Sequence, residues 1–458
     1  MEYGEFLKTK RTKIITSGFE IERHDLNPGL FEFQKDLAKF AIKKGKSALF
    51  ANTGTGKTQI EAEFLYQINK RENKPVLLLC PLAVAEQWKR EVKNILGYES
   101  YIIENQNQII SGINITNYEK LHKFDVSAFE GVALDESSVM KSFNGKTRDL
   151  LIEMFKETPY KLAATATPAP NDYMELGNHA EFLNVMSRNE MLSMYFIHDS
   201  GDTAKWRLKK HAVNKFWEFI ASWAAVLKSP GDLGYDDERY NLLPLNLNEI
   251  QVKSDYTKSG LLFNAVAKTL TEKRQAKKAS FENRMNAAIK LVNKSEDKWM
   301  IWCELNAESD YLKKNITDGV EVKGADKDEY KKKAMLDFAD NKIKCLVSKA
   351  KICGFGLNFQ NCHNVIFVGL SDSFEQYYQA VRRCWRFGQE KIVNVYIITS
   401  EQEKNTINNI NRKERDYEKM MEEMGKLTID IVKHNLFDGE IIDTSYNPKI
   451  NMKLPKWL

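Results

Sequence analysis

The chain has 458 residues, of which 43% are apolar and 29% are charged, and its formal net charge is +5. This length exceeds one ordinary hydrophobic core and predicts two or three domains, while the composition excludes a disordered chain. No apolar run reaches the roughly 18 residues of a membrane span, and the first residues lack the apolar core of a signal peptide. We therefore expect a cytoplasmic protein without a membrane partner.

The first predicted elements are a short buried strand (residues 47–50), the loop ANTGTGKT (51–58) and a helix that follows the loop. Glycine-rich loops at the start of a helix bind anions through backbone amides and the helix dipole. The pattern is AxxGxGKT, with Ala51 in place of the usual first glycine, and it predicts that a nucleotide binds here through its phosphates. The predicted nucleotide contacts are Thr53, Gly54, Thr55, Gly56, Lys57 and Thr58.

The two residues at the end of this loop have separate predicted roles. Lys57 would reach the β and γ phosphates, and Thr58 would ligate Mg²⁺. A hydrolytic site also needs acid at the end of a second strand, and Asp135 and Glu136 follow the apolar run 132–134. Asp135 would hold the metal through water, and Glu136 would polarise the attacking water. Lys57, Asp135 and Glu136 are therefore predicted catalytic residues.

A third strand-like run, residues 161–164, leads into Thr165-Ala166-Thr167-Pro168. Small hydroxyl residues at this place, Thr165 and Thr167, could sense the γ phosphate and pass its state onward. The alternative is a plain exit from a strand into a turn.

Residues 205–230 carry six basic residues against one acid, with aromatic residues interleaved. Such a segment can follow a phosphate backbone. The alternative, which we favour for this stretch alone, is a solvated basic face opposite an aromatic core side.

The order of these segments resembles helicase superfamily 2, and within it the Swi/Snf-type ATPases, from about residue 28 to about residue 400. The resemblance implies an α/β fold of two RecA-like P-loop domains with parallel sheets flanked by helices. It also implies ATP in a cleft between the domains, nucleic acid across both, and a helical linker region. The predicted segments are an N-terminal extension (1–27), domain 1 (28–245, helical after about 178), domain 2 (246–435) and a tail (436–458).

Three motifs carry the resemblance in the first domain. Residues 30–34, LFEFQ, resemble the adenine-reading motif, with Gln34 as the base contact. Residues 80–91 resemble the PL…W..E motif, which touches nucleic acid in the family, and TNYE (116–119) resembles a further family segment. The nucleic-acid contacts that the resemblance implies are Pro81, Gln87, Thr116, Asn117, Tyr118 and Lys141.

In the second domain, GFGLNF (354–359) resembles a family motif that places Gly354 and Gly356 at the nucleotide. Residues 379–389, QAVRRCWRFGQ, match the family pattern QAxxRxxRxGQ. Gln379 is then a coupling residue, and Arg383 and Arg386 are catalytic. Since they are three apart, we expect them on one helix face, from which two guanidinium groups would reach the γ phosphate. Hydrolysis would then require closure of the cleft.

Two departures from the family pattern are visible. The acid box reads DESS, so that Ser138 stands where the family has histidine, and Trp385 replaces a second histidine. Compact members of this kind are similar to proteins encoded by phages and prophages, which implies the cytoplasm of a bacterium or of an infected host.

We expect a monomeric, ATP- and Mg²⁺-dependent translocase on DNA, with duplex favoured. One alternative is an RNA or single-strand helicase on the same scaffold. The other is a slowly hydrolysing, ATP-gated DNA clamp or recruitment factor.

Overall fold

The computed structural model describes residues 17–82, 84–141, 145–199, 202–254, 270–353 and 358–437. The chain divides into two compact units: unit 1 extends to Tyr235 and resumes at Lys419, and unit 2 is Asp236–Glu418. This division into compact units is separate from the domain limits predicted from the sequence, which stay predictions.

Unit 1 contains a seven-stranded sheet in which all paired strands are parallel, with the order β3-β4-β2-β5-β6-β1-β9. Its central strands are continuous apolar runs, as expected where helices cover both faces of a parallel sheet. The strands are β1 Lys46–Ala51, β2 Val76–Cys80, β3 Ser100–Ile102, β4 Ile113–Asn117, β5 Gly131–Asp135, β6 Tyr160–Thr165 and β9 Ala224–Leu227.

The helices of unit 1 connect these strands and pack on the sheet. They are α1 Glu32–Lys44, α2 Lys57–Glu72, α3 Ala85–Leu96, α4 Lys146–Met154, α5 Leu176–Phe182, α6 Arg188–Tyr195 and α7 Val213–Ala221. Helix α1 is followed by Gly45 (φ 72°) and α3 by Gly97 (φ 74°), and glycine adopts such positive φ angles without steric cost. Helix α2 packs against β2, β5 and β6. It begins at Lys57, after the loop that follows the end of β1 at Ala51, so its N-terminus lies at the carboxyl edge of the sheet.

The segment after α6 differs from the helical one that the sequence predicts, because strands β7 (Phe196–Asp199) and β8 (Asp202–Leu208) form an antiparallel hairpin. Phe216, Trp217 and Trp223 are buried in the core. The core interpretation of these aromatic residues is therefore confirmed.

Unit 2 contains a six-stranded parallel sheet with the order β10-β15-β14-β11-β13-β12. The strands are β10 Leu245–Val252, β11 Trp299–Cys303, β12 Gly319–Val322, β13 Cys345–Lys349, β14 Asn364–Val368 and β15 Val393–Ser400. The helices are α8 Leu270–Ala279, α9 Phe281–Asn293, α10 Asn306–Asn315, α11 Asp328–Ala339, α12 Ala350–Cys353 and α13 Phe374–Val381. A last helix, α14 Lys404–Phe437, begins in unit 2 and continues into the residues assigned to unit 1. The predicted α/β fold of two parallel-sheet domains is confirmed.

A buried ion pair holds the core of unit 2 together. Arg284 of α9 donates to Oε1 of Glu308 in α10 at 2.9 Å, and neither side chain is exposed by more than 1%. Arg284 also donates to the carbonyl oxygen of Val368, at the end of β14. Oε2 of Glu308 accepts the N–H groups of Glu304 (2.9 Å) and Leu305 (3.0 Å). The pair thus fixes two helices to one strand while leaving its own polar atoms hydrogen-bonded.

Of the residues described, none belongs to a helix with the length and apolar character needed to cross a bilayer.

Candidate nucleotide-binding site

The predicted phosphate loop connects β1 to α2 and is closed by its own hydrogen bonds. Gly54 (φ 87°) and Gly56 (φ 84°) adopt left-handed conformations that other residues enter only at a cost. The Thr55 hydroxyl donates to the carbonyl oxygen of Asn52 at 2.8 Å. The loop therefore curls at the N-terminus of α2, where backbone amides and the helix dipole bind anions.

Lys57, the first residue of α2, lies against the inner side of this loop. Its Nζ donates to the carbonyl oxygens of Ala51 at 2.8 Å and Asn52 at 3.2 Å. The ammonium group is thus held next to the curled backbone, as a phosphate-binding lysine requires.

Gln34 of α1 braces the loop from the side. Its Nε2 donates to the carbonyl oxygen of Thr55 at 3.2 Å, and its Oε1 accepts the N–H of Phe31 at 3.0 Å. A Cβ at position 56 would lie 2.1 Å from Nε2 of Gln34. Glycine at 56 is therefore needed for this close approach as well as for its φ angle. The contact of Gln34 with an adenine base stays a prediction.

The acid pair lies at the end of β5, one strand away from β1. Glu136 has a φ of 56°, an unusual left-handed value for a residue with a side chain. The Thr165 hydroxyl donates to Oε2 of Glu136 at 3.3 Å, and the N–H of Thr167 donates to the Thr165 hydroxyl at 3.1 Å. The segment predicted to sense the phosphate therefore contacts the acid pair directly.

Burial makes two carboxyl groups at this place, those of Asp135 and Glu61, hard to ionise. Desolvation first, then the charge of Glu136, raises the pKa of Asp135 to about 7, and Lys57 acts in the opposite direction. Burial, then the charge of Asp135, raises the pKa of Glu61 in α2 well above its usual range. A divalent cation at this place would stabilise the ionised carboxylates. The hydroxyl of Thr58 and the carboxylate of Asp135 are the hard oxygen donors that Mg²⁺ prefers, so the donor set fits the predicted metal.

Three of the residues predicted to contact nucleic acid form hydrogen bonds within the protein. The Tyr118 hydroxyl donates to the carbonyl oxygen of Asp135 at 2.7 Å. The Thr116 hydroxyl donates to the carbonyl oxygen of Ile103 at 3.0 Å, and the Asn117 side chain accepts the N–H of Lys120 at 2.9 Å. Thr116 and Asn117 are buried. The bond from Tyr118 joins the segment after β4 to the end of β5, across the intervening strand β2. The proposed contacts of the three residues with nucleic acid stay predictions.

The other three predicted contacts lie nearer the surface. Pro81 follows β2, Gln87 lies in the first half of α3, and Lys141 ends a short turn after the acid pair; all three are half-buried. Leu82 beside Pro81 is 59% exposed.

In unit 2, the expectation that Arg383 and Arg386 share a helix face is wrong, because α13 ends at Val381. The carbonyl oxygen of Arg383 accepts the N–H of Phe359 at 2.8 Å instead of continuing the helix. Gly388 then takes a left-handed φ of 85° as the chain turns. The two arginines therefore lie on turns.

The arginines are nevertheless held in place. Arg383 is buried, with 8% of its surface exposed, and Nη1 of Arg386 donates to Oδ1 of Asn358. Trp385 donates its Nε1–H to the carbonyl oxygen of Leu243 at 2.7 Å, which gives this substituted position a structural role. Gln379 is buried in α13. Gly354 and Gly356 lie outside the described residues.

The sequence reasoning missed one partner of the acid box. Ser137, rather than Ser138, contacts a histidine: its Oγ lies 3.1 Å from Nε2 of His179 in α5. The ring of His179 also meets the Phe50 ring of β1 edge-on, with centroids 5.2 Å apart. Burial lowers the pKa of His179 to about 4. The sequence signal was weak, since His179 stands alone three residues after Leu176.

It also missed Glu61, one turn after Lys57. Glu61 interrupts the apolar pattern of α2 at a position that is fully buried. A charged residue at an inward position was the available signal.

Two protein-family models match separate parts of this chain. A family model described as the type III restriction enzyme res subunit matches residues 30–169. A second model, the helicase conserved C-terminal domain, matches residues 283–388. The first match lies in unit 1 and the second in unit 2.

Relatives of similar length also match. The uncharacterized ATP-dependent helicase YqhH of Bacillus subtilis (strain 168) is 23% identical, over 90% of this chain and 83% of the relative. Protein p41 of Acyrthosiphon pisum secondary endosymbiont phage 1 is 23% identical, over 74% of this chain and 84% of the relative. Among solved structures, the Sulfolobus solfataricus SWI2/SNF2 ATPase core in complex with dsDNA is 18% identical, with a TM-score of 0.42, over 93% of this chain and 99% of that one.

Proposed function

Because the chain belongs to the helicase-type, nucleic-acid-dependent ATPases of superfamily 2, we propose that it uses ATP hydrolysis to move along duplex DNA. The observation that carries the ATPase half of the proposal is the convergence of the phosphate loop and the acid pair in unit 1. The loop follows β1 and the acid pair lies at the end of β5, and these are two parallel strands of one sheet with β6 between them. The proposed phosphate-binding cation and the proposed metal-binding acid therefore belong to the same edge of the sheet.

The predicted site residues of unit 1 have separate roles in the proposed reaction. The amides of residues 54–58 and the ammonium of Lys57 bind the β and γ phosphates of ATP. Thr58 and Asp135 would hold Mg²⁺, which would supply neutralisation of the charge on the phosphate oxygens. Glu136 orients and polarises the attacking water, and its hydrogen bond from Thr165 keeps the carboxylate in place.

Arg383 and Arg386 are the proposed arginine fingers of unit 2, which stabilise charge on the γ phosphate during its transfer. Because they belong to a different unit from the phosphate loop, hydrolysis depends on closure of the two units. This dependence would couple the reaction to movement along nucleic acid.

The preference for duplex DNA rests on the Swi/Snf-type motifs of the sequence, above all QAVRRCWRFGQ at 379–389. Recognition would use the shape and backbone of DNA, with the steep salt dependence typical of phosphate contacts.

Steady-state ATP hydrolysis tests the proposal under four conditions: no nucleic acid, single-stranded DNA, duplex DNA and RNA. Glu136→Gln serves as the blank, because the amide cannot accept a proton from water. Strong stimulation by duplex DNA supports a translocase, and displacement of a third strand from a DNA triplex then measures movement itself. Stimulation by RNA or single strands alone would favour the helicase alternative. A rate near background in all four conditions, with ATP still bound, would favour the alternative of an ATP-gated DNA clamp or recruitment factor that hydrolyses ATP slowly.

A further inference from the structure

Two hydrogen bonds join the helix that begins at the phosphate loop to the helix that carries Gln87. The Nε1–H of Trp88 in α3 donates to Oε2 of Glu61 in α2 at 3.2 Å. Nε2 of Gln59 in α2 donates to Oε1 of Glu91 in α3 at 2.6 Å. We refer to these two bonds as the α2–α3 clamp.

The clamp begins next to the phosphate site. Glu61 lies four residues after Lys57 and hence on the same face of α2. Gln59 packs against the loop, since a Cβ at Gly56 would lie 2.7 Å from its Oε1.

At its other end the clamp reaches the predicted nucleic-acid contacts. Trp88 follows Gln87 directly, and α3 begins shortly after Pro81. Trp88 is 1% exposed, so its indole cannot itself touch nucleic acid. The tryptophan of a motif that touches nucleic acid in the family is here directed inward, onto a carboxyl group of the phosphate-loop helix.

We propose that the α2–α3 clamp carries the effect of nucleic acid bound at Pro81 and Gln87 to the phosphate loop, with Glu61 and Trp88 as positioning residues. The inference rests on the proposed function, because it presupposes that nucleic acid stimulates the ATPase. A displacement of α3 on binding moves α2 through one buried and one partly buried hydrogen bond rather than through apolar packing alone. Since α2 starts at Lys57, such a movement changes the position of the ammonium group on the phosphates.

Three variants separate the hydrogen bond from packing. Glu61→Leu keeps a side chain of similar size but removes the acceptor, and Glu61→Gln restores an acceptor oxygen. Trp88→Phe keeps an aromatic ring but removes the donor. Asn94→Ala, on the exposed side of α3, is the control for a general change in this helix. The quantities measured are the ATPase rate without nucleic acid, the rate with saturating duplex DNA, and the dissociation constant of ATP.

Glu61→Leu and Trp88→Phe should lower the ratio of stimulated to unstimulated rate by about fivefold or more, a typical size for coupling between two sites. Glu61→Gln and Asn94→Ala should keep the wild-type ratio. The double variant Glu61→Leu/Trp88→Phe should be no worse than either single variant, since both remove one interaction. If Glu61→Leu does not fold, Trp88→Phe decides the outcome.

An unchanged ratio in Trp88→Phe would refute the inference. So would an equal fall of the unstimulated rate, the stimulated rate and ATP affinity, which indicates a purely structural contact. These results leave the proposed function intact, because the wild type is still stimulated. If the wild type responds to no nucleic acid, the proposed function fails, and the inference fails with it.

Discussion

Lys57 provides the most direct test at the scale of single residues. Lys57→Ala removes the charge that the loop carbonyls hold beside the proposed phosphate site. Hydrogen bonds to charged groups contribute about 1.5–3 kcal/mol, so the dissociation constant of ATP should rise by about 10- to 100-fold. Titration with a fluorescent ATP analogue measures this. Lys70→Ala, at an exposed position of the same helix, is the control, and an equal effect of both variants would contradict the assignment.

His179 makes stability depend on pH in a predictable direction. Its pKa falls from the ordinary value of 6.5 to about 4 on folding, because burial disfavours the charged ring. The folded state therefore has its full stability above pH 6.5 and loses it as the pH falls toward 4. At pH 5 the expected loss is about 2 kcal/mol.

Urea unfolding of the wild type and His179→Gln, each at pH 7 and pH 5, measures this effect. The difference in the free energy of unfolding between the two proteins should shift in favour of the variant at pH 5. His24→Gln alters a ring that is 82% exposed and should show no such shift. Parallel pH profiles for wild type and His179→Gln would mean that His179 titrates normally.

At the scale of elements, the buried ion pair between α9 and α10 gives a direct test of what stabilises unit 2. Glu308→Ala leaves the buried charge of Arg284 without its carboxylate, which typically costs about 3–5 kcal/mol. Urea-dependent hydrogen exchange in β11 reports this loss for unit 2 separately from unit 1. Glu296→Ala removes a carboxylate that is 99% exposed and should cost less than about 1 kcal/mol. Equal effects would show that burial of the pair contributes nothing.

The sequence predicted those elements whose signals are local. The loop before Lys57 and the acids after β5 were found because each follows an apolar strand directly. The end of α13 was missed, since it depends on a hydrogen bond between Arg383 and Phe359, which are distant in sequence. The partners Glu61 and Trp88, and likewise Ser137 and His179, meet only once the sheet is assembled. No periodicity within one segment could reveal such pairs.

For the whole molecule, the proposed division of labour between the units gives one clear expectation. Arg386→Ala should leave ATP affinity close to the wild-type value, because the phosphate loop lies in unit 1. Hydrolysis should fall by about a thousandfold or more, the usual contribution of an arginine finger. Single-turnover hydrolysis and ATP binding are measured side by side. Arg412→Ala changes an exposed arginine of unit 2 and is the control; wild-type hydrolysis by Arg386→Ala would refute the finger assignment.

The position of β1 within its sheet has a consequence for biosynthesis. β1 lies between β6 and β9, and the N–H of Asn52 donates to the carbonyl oxygen of Leu227 at 2.9 Å. The ribosome adds about 5–20 residues per second, so both neighbouring strands leave it long after β1. The segment that ends in the phosphate loop must therefore wait on the order of ten seconds for its hydrogen-bonding partners. A nascent chain that ends before β9 would contain the complete ANTGTGKT motif. It would still lack the neighbouring strand whose hydrogen bonds hold the end of β1 and the start of the loop in place.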